Sequence, residues 1–242
     1  MLMANRRKRR ARYKKTITHP SAPWWEEYSW LLLIGTGLLV IVGFIVWKEM
    51  RLPLSSTPAD AAFMERSRPF EISYGDGDAP VTMIEYASLT CGSCKHFHAE
   101  AFEPLEPSYI RGGQVRYVFR HYPLNAPALD GALLLSCLPS ERAKPVIDTL
   151  FANQDIWAVA DDPRSHLRDY FTAAGMSGAD IERCLNNDEQ KEALAAEQQK
   201  AREALNISST PTVFINGRVY SGQKRFKVMR RVIDVLLKKA EG

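Results

Sequence analysis

Two cysteines three residues apart, Cys91-Gly-Ser-Cys94, follow an apolar stretch, Val81-Thr-Met-Ile-Glu-Tyr86, and a Ser-Leu-Thr turn. The stretch is rich in apolar and β-branched residues and predicts a buried strand. The residues after Cys91 predict a helix that continues through Phe97 and Phe102 until Pro104 or Pro107 disrupts it. The first cysteine then sits at the helix N-terminus, where free N–H groups and the dipole favour a thiolate over a thiol. The second lies one turn on, on the same face, within disulfide reach of the first. In outline this is a redox device, and a Cys-x-x-Cys alone also fits a zinc site.

The 242 residues suffice for one substantial domain plus appendages, and the apolar and charged fractions are those of a globular protein. The net charge of +4 is an uneven average. Residues 1–20 hold eight Lys or Arg and no acid, so residues 21–242 carry 24 basic against 28 acidic side chains and sum to −4. The basicity belongs to the tail, and a nucleic-acid-binding domain is not indicated. Besides Cys91 and Cys94 the chain has Cys137 and Cys184. Four cysteines allow three pairings, and the sequence does not choose among them. Adjacency favours 91–94, which leaves 137–184 as a second bridge, one that makes sense only in an oxidising compartment.

Trp30 to Trp47 is an uncharged run, and Tyr28 and Ser29 extend it. Roughly 20 apolar residues cross a bilayer core, so the run just suffices for a single uncleaved transmembrane anchor over residues 28–47. Trp24, Trp25, Tyr28 and Trp30 at one end and Trp47 at the other match interfacial positions. All eight tail cations precede it. The positive-inside bias therefore leaves a basic tail, residues 1–27, in the cytoplasm and exports everything after Trp47. Residues 48–68, rich in Pro, Ser, Ala and charge, predict a linker that holds the domain off the membrane.

Phe70–Tyr74 and Val115–Arg120 predict further strands. From about Ala126 to Asn187 the pattern is helical, and another helix is expected over Glu189–Leu205. Thr210-Pro211-Thr-Val-Phe-Ile-Asn216-Gly217 reads as loop, strand and tight hairpin, with Arg218-Val-Tyr220 as the return strand. Lys224–Lys239 closes the chain as an amphipathic helix.

The order strand, Cys-x-x-Cys helix, strand, helices, Thr-Pro hairpin and final helix resembles the thioredoxin superfamily. More closely it resembles the DsbA-like branch, in which a helical domain interrupts the thioredoxin fold. The motifs are Glu85-Tyr-Ala-Ser-Leu-Thr-Cys91-Gly-Ser-Cys94, Arg120-His-Tyr-Pro-Leu124 and Thr210-Pro-Thr-Val-Phe-Ile-Asn-Gly217. The resemblance implies an α/β thioredoxin domain over residues 69–242, with a helical insertion at about 125–187, behind the transmembrane helix.

The resemblance gives Cys91 the nucleophile's role and Cys94 the resolving role. It makes Pro211 a cis proline beside the pair, and Thr210 a backbone partner for an extended substrate strand, with Gly92 and Ser93 also at the substrate-binding surface. It makes Glu85 a buried acid that relays protons to Cys94. The residues by themselves also allow Pro211 to start an edge strand and Glu85 to face solvent. Cys137 and Cys184 are expected to form a structural bridge within the helical domain. The implied activity is thiol–disulfide exchange that introduces disulfides into exported proteins. No cofactor beyond the cysteine pair is required, and a membrane redox partner would reset it. A periplasmic or otherwise extracytoplasmic catalytic domain on the inner membrane follows. Gly92-Ser93 departs from the Pro-His of the strongest oxidases, which keeps a reductase or isomerase in view. A non-catalytic metal- or peptide-binding protein, with Cys91, Cys94 and His98 as ligands, is the remaining alternative.

Overall fold

Val81–Ala87, the strand that leads to Cys91, is central to the sheet in the computed structural model, which describes residues 24–50, 52–60, 64 and 68–241. Two units are present, residues 1–51 and 52–242.

The first unit contains helix α1, Trp24–Met50, in which the side chains of Leu31 and residues 33–45 are described. The anchor expected over residues 28–47 is met as a helix but not as a span. Among the described residues no helix is long and apolar enough to cross a membrane. The basic tail through residue 23, and the side chains expected as interfacial anchors, lie outside the described residues.

In the second unit the described residues form a five-stranded sheet. Its strands are β1 (Ile72–Tyr74), β2 (Val81–Ala87), β3 (Val115–His121), β4 (Thr212–Ile215) and β5 (Arg218–Val219), in the order β1-β3-β2-β4-β5. β2 runs parallel to β3 and antiparallel to β4, pairing Glu85 with Phe119 on one side and Val213 on the other. Apolar clusters cover both faces of β2, which is why it is a nearly continuous apolar run. On one face Met83, Tyr117, Phe119, Val213 and Ile215 join the larger core. On the other, Ile84, Tyr86, Val118 and Phe214 pack with Ala201, Leu205 and Ile207.

Helix α2, Gly92–Phe97, follows Cys91 on the larger core's side. Beyond it Pro104 and Pro107 do not end the helix. The turns widen to π geometry at His98–Phe102 and Glu106–Ile110, with Glu103–Leu105 between them. A proline lacks the N–H and its ring crowds the carbonyl four residues back, so an ordinary turn cannot close there. The wider turn can, as in the bond from the Arg111 N–H to the Glu106 carbonyl at 3.0 Å.

Between β3 and β4 lie α3 (Ala126–Ser136), α4 (Ser140–Ala152), α5 (Gln154–Trp157), α6 (Pro163–Ala173), α7 (Gly178–Leu185) and α8 (Asp188–Leu205). Side chains of Asn125, Asp162, Ser177 and Asn187 accept from backbone N–H groups at the starts of α3, α6, α7 and α8. α9, Phe226–Ala240, closes the chain and buries Met229, Val232 and Ile233 in the larger core. At the hairpin, Asn216 and Gly217 take φ of 44° and 73°, the left-handed pair that a two-residue turn of this type requires.

The expected linker departs from a free tether. Leu54 bridges Tyr220, the Ser55 N–H donates to the Val219 carbonyl at 2.9 Å, and the Ala59 N–H donates to the Gly217 carbonyl at 2.7 Å. The Arg218 guanidinium donates back to the Ser55 carbonyl at 2.8 Å. β5 is an edge strand, and residues 52–60 pair with its outer backbone groups. Such a cover makes backbone bonds and needs no apolar period, so the composition alone reads as linker.

Candidate active site

β2 ends at Ala87, and the turn Ser88–Thr90 passes the chain to Cys91, whose N–H donates to the Ser88 carbonyl at 3.1 Å. Cys91 is the N-cap of α2, extended at φ −85° and ψ 117°. Its carbonyl accepts from the N–H groups of Cys94 and Lys95, both at 3.0 Å. Its side chain caps nothing and is left half-buried at the helix N-terminus. Gly92 and Ser93 are exposed beside it, whereas Cys94 is fully buried.

The Thr210–Pro211 peptide is cis, and the Cys91 Sγ–H donates to the Thr210 carbonyl at 3.5 Å. β4 therefore brings Pro211 and Thr210 against a cysteine more than a hundred residues away in sequence. The two thiols differ sharply. Hydrogen bonding from the Cys94 thiol, with help from Thr210 and from the N–H groups of Cys94 and Ser93, brings the Cys91 pKa down to about 5, against the opposing effect of its partial burial. The Thr210 hydroxyl, buried with no other partner among the described residues, is available to that thiolate. Burial drives the Cys94 pKa far upward, reinforced by Cys91 and by the charge of Glu85.

Glu85 does not face solvent. It is 1% exposed on central β2 and shares a face with Met83 and Ala87. Tyr117 of β3 donates its hydroxyl to Oε2. Burial raises the Glu85 pKa to about 8, the Tyr117 hydrogen bond and Lys224 acting downward and the Cys91 charge upward.

His98 turns away from the sulfurs. Its Nε2 bonds Asp148 at 3.0 Å, and its ring stacks on Phe102 with centroids 4.7 Å apart. Among the described residues no group of three or more His, Cys, Asp or Glu is placed to hold a metal ion. The ligand set Cys91, Cys94 and His98 is therefore not assembled. The neighbouring β3 histidine, His121, is buried against the edge of Phe119, and burial pushes its pKa down to about 3. Cys137 and Cys184 are joined in a disulfide that ties the end of α3 to α7, with Cα atoms 6.5 Å apart.

The site also contains residues that sequence reasoning passed over. Thr90 Oγ1 donates to Asn125 Oδ1 at 3.0 Å, and Ser88 Oγ accepts from the Leu124 N–H at 3.4 Å. Gln154, from α5, donates to two carbonyls of the cysteine turn. No local signal marks them, since each is a single polar residue in a polar stretch. Leu124, the last residue of the Arg120-His-Tyr-Pro-Leu124 motif, supplies one of these contacts.

A mixed sheet, a dithiol at a helix N-terminus and a cis proline against the outer sulfur define the dithiol class of thioredoxin folds. The thioredoxin family model matches residues 67–235, and the chain belongs to that family. The crystal structure of alpha-DsbA1 from Wolbachia pipientis is similar, with a TM-score of 0.69 and 29% identity over 75% of this chain and 98% of that one. Among curated relatives, a "Putative protein-disulfide oxidoreductase" of Rickettsia bellii is 28% identical over 59% of this chain. That match spans 56% of the relative's own length. Disulfide bond formation protein D of Bacillus subtilis is 23% identical over 68% of this chain and 76% of its own.

Proposed function

We propose that the chain is a thiol–disulfide oxidoreductase that introduces disulfides into exported proteins through Cys91 and Cys94. The observation that carries the reading is the contrast between the two sulfurs. Cys91 is accessible, sits at a helix N-terminus and has its pKa brought down to about 5, while Cys94 is buried with its pKa raised. A stabilised Cys91 thiolate is a good leaving group and favours the reduced pair, which makes the disulfide an electron acceptor. The names of the relatives support thiol–disulfide exchange, and that of the Bacillus subtilis protein refers to disulfide formation.

In the proposed reaction a substrate thiolate attacks Cys91 Sγ of the disulfide. The Cys91–Cys94 bond breaks, its electron pair goes to Cys94, and a substrate–Cys91 mixed disulfide forms. The high pKa of Cys94 means that its sulfur takes up a proton, and Glu85, whose charge acts on Cys94, is read as the acid that supplies it. A second substrate thiolate then attacks the substrate sulfur of the mixed disulfide and displaces Cys91 as a thiolate. The substrate loses two electrons and the pair gains them. The substrate strand is read as lying along the Thr210 backbone, next to the exposed Gly92 and Ser93. The sulfurs carry the electrons, so the reading needs no cofactor, and a membrane redox partner would reoxidise the pair.

An extracytoplasmic site of action is supported by the Cys137–Cys184 bond, since such bridges persist in oxidising compartments. Attachment through residues 28–47 rests on the uncharged run behind a basic tail, and on apolar side chains exposed along α1, such as Leu33, Leu39 and Val40. Alkaline extraction of membranes from cells expressing the full chain tests it, and release into the supernatant would refute it.

The direction of electron flow is tested by equilibrating the full chain with glutathione buffers. A Cys91–Cys94 potential near about −120 mV supports disulfide donation, whereas one near about −270 mV makes the protein a reductase. Trapping of substrates as mixed disulfides by Cys94→Ser supports exchange chemistry, and failure to trap any thiol substrate would leave only a binding role.

A further inference from the structure

The turn that presents Cys91 is held from outside by the helices inserted between β3 and β4. Gln154 at the start of α5 is 5% exposed, and its Nε2 amide donates to the Leu89 carbonyl at 2.7 Å and the Cys91 carbonyl at 3.1 Å. The next residue, Asp155, forms an ion pair with Lys95 of α2. Asn125 Oδ1 accepts from both Thr90 Oγ1 and the Ala128 N–H in the first turn of α3. One amide therefore bridges two carbonyls of the Leu89–Cys91 segment, alongside the Asn125 contact at the start of α3.

The Cys91 carbonyl already accepts from the N–H groups of Cys94 and Lys95. A third donor fixes the direction of that carbonyl and with it the backbone twist at Cys91. That twist decides whether Sγ faces the N–H groups of Ser93 and Cys94. Glutamine suits the place because its amide is neutral. It offers two N–H donors in a buried position without setting a charge beside the sulfur. Methionine would fill the same volume and donate nothing.

We propose that Gln154 is a positioning residue for Cys91. By pinning the Leu89 and Cys91 carbonyls it holds Sγ against the α2 N-terminus and so sets the reactivity of the pair. The inference rests on the reading of Cys91 as the reacting thiol. It assigns the inserted helices a part in tuning the chemistry, in addition to covering the sheet.

The test compares the full chain with its Gln154→Met and Gln154→Glu variants. Thiolate absorbance of the reduced protein is followed against pH, the equilibrium with glutathione is measured, and circular dichroism and Tm report the fold. For Gln154→Met the thiolate midpoint is expected to rise by about 0.5 to 1, and the disulfide to become roughly three- to tenfold less oxidising. For Gln154→Glu the midpoint is expected to rise further, because a carboxylate then opposes the thiolate. Variants with a lowered Tm but wild-type midpoint and equilibrium would overturn the proposal, since a purely structural contact affects only stability. Where Gln154→Met does not fold, Gln154→Asn, which keeps the neutral amide but withdraws it by one methylene, decides by the same two readouts. If the wild-type midpoint itself lies at the ordinary thiol value, the reading of Cys91 fails before Gln154 is considered.

Discussion

The Tyr117 hydroxyl donates to Oε2 of Glu85, and Oε1 of the same carboxyl has no hydrogen-bond partner among the described residues. Half of the acid is thus occupied by a neutral donor, and the other half is open in the core. Glu85 lies close enough to Cys94 for its charge to raise that thiol's pKa. A carboxyl held in this way keeps its proton near neutral pH, which suits an acid that serves a buried sulfur.

Stability should carry the signature of Glu85. In the fold its pKa is about 8, while the unfolded chain has the ordinary carboxyl value. Between those values the native state holds the proton that the unfolded state has released, so stability falls as pH rises through the interval. Glu85→Gln removes that fall. Urea titrations should show a gain on the order of 3–5 kcal/mol at pH 8.5 and almost none at pH 4. Equal gains at both pH values would mean that Glu85 does not retain its proton in the fold. Tyr117→Phe removes a bond that favours ionisation, and should steepen the loss at high pH.

Cys91 should titrate with a midpoint of about 5 in the reduced protein, seen as thiolate absorbance. At pH 7 a thiol-alkylating reagent should label Cys91 and spare buried Cys94. The sign for stability is the reverse of that for Glu85. The folded pKa is depressed, so the stabilising contribution of the thiolate is complete above the ordinary thiol value and lost as pH falls through about 5. Cys94→Ala removes the largest cause of the depression and should move the midpoint upward.

His121 should shape the acid limb. Its Nε2 is buried without a partner among the described residues, and its pKa is about 3 in the fold against an ordinary 6.5. The unfolded chain therefore takes up the proton first as pH falls below 6.5, and stability declines until about pH 3. His121→Phe keeps the ring and its contact with Phe119 while removing the titration. Relative to wild type it should gain on the order of 2–3 kcal/mol between pH 7 and pH 4.5 by urea denaturation. Parallel profiles for the two proteins would contradict this.

The Cys137–Cys184 bridge closes a separation of 47 residues, and replacing both cysteines by alanine should lower stability by about 2–4 kcal/mol. The Cys91 thiolate midpoint should not move, because neither cysteine is among the groups that shift it. A change in that midpoint would show that the bridge supports the site as well as the helices around it.

Local patterns carried much of this architecture. Asn216-Gly217 specifies its hairpin by backbone geometry, and the apolar run before Cys91 specifies a buried strand, because those demands fall on adjacent residues. Glu85 had two readings, since an acid in an apolar strand is equally compatible with an edge and with a centre until β3 and β4 are placed beside it. Gln154 and Asn125 were illegible, because a polar residue that bonds a distant carbonyl looks like one that bonds water. The strap over β5 was missed for a related reason: its contacts are made by backbone groups, which every residue type supplies.

That strap also makes Leu52 the mechanical entrance to the domain. Tension or thermal motion arriving along the chain from residue 51 is met first by the bonds that join Pro53, Ser55 and Ala59 to Ser221, Val219 and Gly217. These lie at the rim of the sheet, and β4 stands between them and the strand that carries Glu85 toward Cys91. Such contacts belong to the sheet edge and are separate from the β2–β3 and β2–β4 pairing of the interior. Of the strands at the site, β4 pairs directly with the strapped β5, and β2 is one strand further in.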